Sequence, residues 1–216
     1  MIEKILDDNG KIYRQDNNEV NKKVSCNTTD LAMGLDIVNL DLLKIPGTYK
    51  QTEDRLTKIA LDKNNWKQYA DYMQSIVPEN ETDWMKWFAK NNPAEKPQIL
   101  AYIANMIYQK EVATFTYGVS FRQLKLDIDH GNPVIICGDF TPYGHYVLCV
   151  GYKSGRDIEQ IIVNDPAWWL YKSGNGSHKI YEYLAKNGTV LLNNPDRDKY
   201  DNNIKLNTFK IVIKND

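Results

Sequence analysis

No stretch of this sequence approaches the roughly 18 consecutive apolar residues that a membrane-spanning helix requires. Its first residues, Met1-Ile2-Glu3-Lys4-Ile5-Leu6-Asp7-Asp8, are too acidic and too short in their apolar run for a secretory signal. Such a chain is expected to be cytoplasmic as synthesised, with lysis or a phage particle as the other route of release. An excess of charge of one sign is also missing. The 27 Lys and Arg residues against 28 Asp and Glu give a net charge of −1, and the cations are scattered instead of forming a stripe interleaved with aromatics. That removes the electrostatic footprint of a nucleic-acid binder. Cysteine and histidine are scarce, three of each. Three thiols cannot all pair, and neither residue type falls at metal-ligand spacing, so no structural disulfide and no zinc site are expected. A glycine-rich phosphate-binding loop is lacking too, and no cofactor is implied.

What is present is an ordinary globular composition, 216 residues with 42% hydrophobic and 25% charged, long enough for one sizeable core over residues 1–216. No internal repeat is visible. Residues 2–6 and 11–13 flank Asp8-Asn9-Gly10, a hairpin signal. A helix is expected over residues 26–39. From residue 52 to residue 110 the apolar positions recur at i, i+3 and i+4, punctuated by Pro78, Pro93 and Pro97. The aromatic stripe Trp84, Trp87 and Phe88 falls in this helical region and is read as core.

Strand character follows. Residues 114–119 approach as a strand, Ser120 caps a short helix that ends at Gly131, and His130 closes that helix where a cation suits its dipole. Then Pro133-Val134-Ile135-Ile136-Cys137-Gly138, Gly144-His145-Tyr146-Val147-Leu148-Cys149-Val150-Gly151-Tyr152 and Ile161-Ile162-Val163-Asn164-Asp165-Pro166 read as consecutive strands of a sheet covered on at least one side. Cys137 and Cys149, inside these apolar runs, read as small buried thiols. His178 sits in a polar Gly-rich turn, residues 180–184 fit a short helix or a strand, and residues 193–203 form a polar loop. Residues 208–213 alternate as a final strand. Runs of helix followed by runs of strand indicate an α+β fold.

Cys26 has the different setting. The polar stretch Ser25-Cys26-Asn27-Thr28-Thr29 runs straight into Leu31, Leu35 and Val38 at helical spacing, which puts the thiol at a helix start among unpaired backbone N–H groups. A thiol there can titrate below its usual value of about 8.5. His145, at the start of one strand, and a carboxylate at the end of the next supply a base and a group to orient it. For that last role Asn164 and Asp165 are adjacent candidates. Asp165, held extended by Pro166, is preferred. Trp168-Trp169 follow shortly after and are placed either near this cleft or in simple packing.

Gln15-Asp16-Asn17, Ser25-Cys26-Asn27-Thr28-Thr29 with Leu31-Ala32-Met33, Gly144-His145-Tyr146-Val147 with Val150-Gly151-Tyr152, and Val163-Asn164-Asp165-Pro166 together resemble the bacteriocin-leader (double-glycine) peptidase-like family of the papain superfamily. The resemblance spans residues 13 to 170. It implies a papain-like fold, a helical layer carrying the nucleophile packed on an antiparallel sheet carrying His and Asp. It further implies Cys26 as nucleophile, His145 as general base, Asp165 as the orienting residue and Gln15 as an oxyanion donor. Asn27 stands where the family often has Gly, and an insertion loops out between Gln15 and Cys26. Asn21 and Asn27 are next in line for the oxyanion role.

The chemistry expected is cysteine-dependent hydrolysis of a peptide or amide bond through a thioester, without cofactor. A leader peptide is the substrate that the resemblance implies, and a cell-wall (peptidoglycan) peptide suits a stand-alone relative of bacterial or phage origin. The alternative is a non-catalytic peptide- or cell-wall-binding protein on the same scaffold. Thiol reactivity separates the two, because a binder has no use for one low-pKa cysteine.

Overall fold

A short strand, β1 (Ile2–Ile5), precedes the helix α1 (Cys26–Ile37), and four more helices follow: α2 (Thr52–Leu61), α3 (Lys63–Ile76), α4 (Trp84–Phe88) and α5 (Pro97–Tyr108). Strand β2 (Ala113–Tyr117) and helix α6 (Phe121–Asp129) lead into the strands β3 (Val134–Gly138), β4 (His145–Gly155), β5 (Ile158–Asn164), β6 (Lys179–Lys186), β7 (Thr189–Asn193) and β8 (Ile204–Ile213). The computed structural model describes residues 1–6, 13–21, 25–78, 82–141, 144–167, 179–186, 189–193 and 204–215. The expectations for Asp8-Asn9-Gly10, Trp168-Trp169 and His178, and for residues 194–203, fall outside them.

Local chemistry sets the helix ends. Asp62, Asp83 and Ser120 accept first-turn backbone N–H groups at the starts of α3, α4 and α6, and Pro97 opens α5. Helix α1 stops at Ile37, short of the expected residue 39, because Asn39 adopts a left-handed backbone with φ 56°. Among the described residues no helix is long and apolar enough to cross a membrane.

The sheet is antiparallel and curls on itself. Strands run in the order β4-β3-β8-β7-β6-β5, and β5 pairs back onto β4, so six strands close into a small barrel. Closure explains the near-continuous apolar runs, for both faces of these strands are buried. Val134, Ile136, Val147, Cys149, Ile161 and Val163 point inward with Phe121, Leu124 and Ile128 of α6. The alternate residues Ile135, Leu148, Val150, Ile162, Ile211 and Ile213 face the helices. The segment 180–184 is resolved as strand, in β6. Strand β1 pairs with β4, Ile5 opposite Gly151, and the hairpin partner that the sequence suggests for it near residue 11 lies largely outside the described residues. Gly151 allows that approach: a Cβ there would lie 2.4 Å from the Lys4 carbonyl oxygen.

Helix α1 is the hub. Every residue from Asn27 to Leu35 is buried, polar ones included. Its threonine side bonds to α2 through Thr28 Oγ1 and Thr57 Oγ1 at 2.8 Å, and its other faces pack on β4, β3, α5 and β8. In the outer helical layer Trp84 and Phe88 are buried and stacked at 6.2 Å, with Trp87 partly buried, so the aromatic stripe is core. A helical layer packed on an antiparallel sheet is the α+β arrangement of the papain-like fold.

Candidate active site

Cys26 is the first residue of α1. Thr29 donates its backbone N–H to the Ser25 carbonyl at 2.9 Å, and the hydroxyls of Thr28 and Thr29 donate to the same oxygen. Asn27 Oδ1 accepts the Thr28 N–H at 2.8 Å, so the polar run that marks this helix start in the sequence also ties it down. Cys26 is partly exposed, whereas Cys137 and Cys149 are buried in strands and all three thiols are free.

His145 opens β4 at the barrel rim, with Phe140 edge-on at 6.3 Å. Its Nε2 lies 2.8 Å from Asp165 Oδ1, and both side chains are almost wholly buried. The other ring nitrogen, Nδ1, is therefore the one left for the hydrogen bond between His145 and Cys26. Asp165 follows β5 directly, and its Oδ1 also accepts the Ala167 N–H at 2.8 Å, which fixes the carboxylate from the backbone side. Asn164 pairs with Leu148 across the sheet and so shares the face of Leu148, toward the helices.

Burial disfavours a charge on either Cys26 or His145, yet each stabilises the charge of the other. For Cys26 burial is outweighed by the His145 charge, by the hydrogen bond to that ring, and by the backbone N–H groups of Tyr146 and Asn27, and the thiol falls below its ordinary value. For His145 burial is outweighed by Asp165 and then Cys26, and the imidazole rises well above its ordinary value. Both displacements act toward a thiolate beside an imidazolium. Burial pushes Cys137 and Cys149 up to about 12 instead.

Gln15 is the buried residue of a short turn, and its backbone N–H donates to the Pro166 carbonyl at 3.1 Å, next to Asp165. Its segment is anchored by α2: Asp54 accepts the Glu19 and Val20 N–H groups at 2.9 and 2.8 Å. The Asn18 carboxamide lies 2.8 Å from Ser25 Oγ on one side and, with its NH2 turned that way, 3.2 Å from Glu53 Oε1 on the other. Asn27 commits its side-chain NH2 to the Ala94 carbonyl at 2.6 Å, and Asn21 is exposed with φ 58°. Of the three amides considered for an oxyanion, Gln15 is the one whose backbone is tied beside the His145–Asp165 pair. Asp54, Glu53 and the Tyr146 N–H escape sequence reasoning, since nothing local marks them. Among the described residues no group of three or more His, Cys, Asp and Glu is placed to hold a metal ion.

Burial pushes Glu53 up to about 6 from its ordinary value of 4.5. A carboxyl raised on folding contributes stability below the unfolded value and loses it as pH rises through the folded one. Glu53→Gln, which keeps the acceptor and drops the charge, should gain about 2 kcal/mol over the native chain between pH 4 and pH 7; parallel denaturant titrations at the two pH values measure this. Gln15→Ala should lower kcat by roughly a hundredfold, the scale for losing one oxyanion donor, with alkylation of Cys26 unchanged. A loss under about threefold would assign the role to another group.

A helix-start thiol, an imidazole and a carboxylate in line on an α+β scaffold make up the arrangement of papain-like cysteine peptidases. The chain belongs to the Peptidase_C39 like family, whose sequence profile matches residues 8–188. No curated protein matches it.

Proposed function

We propose that this protein is a cysteine peptidase that hydrolyses a peptide or amide bond with Cys26 as nucleophile, His145 as acid and base, and Asp165 as the residue that holds the imidazole. The observation that carries this reading is the 2.8 Å contact of His145 Nε2 with Asp165 Oδ1, which leaves Nδ1 for the thiol. Membership of a peptidase-like family supports the same reaction class.

The thiolate attacks the carbonyl carbon, and the oxygen takes up negative charge that the Gln15 side-chain NH2 and the Cys26 backbone N–H are suited to stabilise. Imidazolium Nδ1–H then protonates the departing amine as the C–N bond breaks. Water, deprotonated by the neutral ring, attacks the thioester and releases the acid, with the proton returned to the sulfur–imidazole pair. Asp165 keeps Nε2–H pointed at itself throughout.

The substrate is a peptide, either a leader peptide or the peptide of bacterial cell wall. Screening the purified protein against a peptide library and against purified peptidoglycan, with Cys26→Ala as control, tests this. Cleavage lost in the variant supports the proposal. Absence of any cleavage beside retained peptide binding would favour the non-catalytic binder.

A further inference from the structure

Asp30 lies on α1 four residues after Cys26, hence one helical turn deeper on the same side. It is 0% exposed, and neither of its carboxyl oxygens has a hydrogen-bond partner among the described residues. The neighbouring buried carboxylates are provided for: Asp54 accepts two backbone N–H groups, and Asp165 accepts from His145 and Ala167. Asp30 shares a helix side with Cys26, and the titratable groups that act on it electrostatically are Cys26, Cys137 of β3, His145 of β4 and Asp165 after β5. Only His145 among these can carry positive charge. A carboxylate so enclosed loses its hydration with nothing in return, which favours the neutral acid.

We propose that Asp30 is a positioning residue that carries a proton beneath the Cys26–His145 pair, and that releasing this proton sets a second anion one turn from the sulfur and returns a proton to Cys26. The inference rests on Cys26 and His145 being the reacting pair. Burial dominates the upward displacement of the Asp30 carboxyl, Cys26 adds to it, His145 opposes it less strongly, and Asp165 adds again. The sulfur sits one turn away on the same helix, so an anion at Asp30 raises the proton affinity of Cys26. When the Asp30 proton leaves to solvent, the proton on His145 Nδ1 moves back to Sγ, and the thiolate is quenched. Neutral Asp30 permits the nucleophile, and ionised Asp30 closes the pH window from the alkaline side.

The test is carbon-13 NMR of aspartate-labelled protein, following the assigned Asp30 Cγ with pH in the native chain and in Cys26→Ala. The native Asp30 should titrate well above the usual aspartate value of about 3.9. Removing the sulfur should lower its proton affinity by about tenfold or more, as expected for charges one turn apart at an effective dielectric near 20. A usual midpoint, or a raised one that Cys26→Ala does not move, would overturn the proposal. Linkage supplies a second arm: iodoacetamide modification of native Cys26 should slow above the Asp30 midpoint, and Asp30→Asn should lose that inflection. An inflection retained in a folded Asp30→Asn would also overturn it. Should Asp30→Asn not fold, the NMR comparison decides alone. Neither arm uses a peptide substrate, so coupling without cleavage would sink the peptidase reading and leave this one standing.

Discussion

Cys26→Ala is expected to abolish hydrolysis, lowering kcat/KM by on the order of 10⁴-fold or more, in a protein that stays folded. The chemical half of the expectation comes from the pair the thiol forms with His145, where burial opposes both charges and their mutual attraction overcomes it. Alanine removes the sulfur and with it the attacking atom of the proposed reaction. The structural half comes from position: Cys26 is the first residue of α1, partly exposed, and the threonine hydroxyls on Ser25 hold the helix start without it. Alanine suits a helix first turn, so the melting temperature should move by only a few degrees. Cys26→Ser should be nearly as inactive, because a hydroxyl does not ionise against this imidazole. Turnover above about a tenth of native in either variant would remove Cys26 from the reaction.

The next largest effect belongs to Asp165. Asp165→Ala should lower kcat/KM by roughly 10³-fold, since His145 loses both its orientation and the anion that helps it hold a proton. Asp165→Asn keeps a hydrogen-bonding oxygen for Nε2–H and should retain part of the activity. The sign of its pH effect follows from the cause: without the carboxylate the imidazolium releases its proton more readily, so the alkaline limb moves to lower pH. Asn164→Ala should leave kcat/KM within about tenfold of native and show mainly as lost stability, because Asn164 is 0% exposed and shares the helix-facing side of Leu148. Steady-state kinetics across pH with parallel melting curves separate the two. If Asn164→Ala is inactive yet folded while Asp165→Ala turns over, the group on the imidazole is Asn164.

Much of this arrangement is legible in the residues, and the part that is not has physical reasons. Polar residues running into an apolar helical period place Cys26 at a helix start, and consecutive apolar strands place His145 and Asp165 at the ends of neighbouring strands. Barrel closure is not legible: alternation reports which face of a strand is buried, not how far the sheet curls until β5 meets β4. The partner of β1 is likewise set by a contact some 150 residues away, with a glycine opposite, and local turn signals carry no trace of it. Gln15 is marked by type alone, whereas what holds it is the Pro166 carbonyl, with Asp54 anchoring Glu19 and Val20 further along its segment, all distant in sequence. Asp30 is overlooked when α1 is read only for apolar positions. The signal is nonetheless there, a carboxylate one turn after the cysteine, immediately before a Leu-Ala-Met run.

The central claim is that one cysteine of three is a thiolate held by an imidazolium. Site-resolved mass spectrometry of iodoacetamide labelling as a function of pH tests it most directly. Cys26 should react at least about tenfold faster than Cys137 or Cys149 near neutral pH, the latter two being pushed up to about 12 by burial. Its rate should already have risen to its maximum below the usual thiol value of about 8.5, and His145→Ala should move that rise upward. Equal labelling of the three thiols, or a Cys26 rate that climbs only through the ordinary thiol range and ignores His145→Ala, would contradict the account.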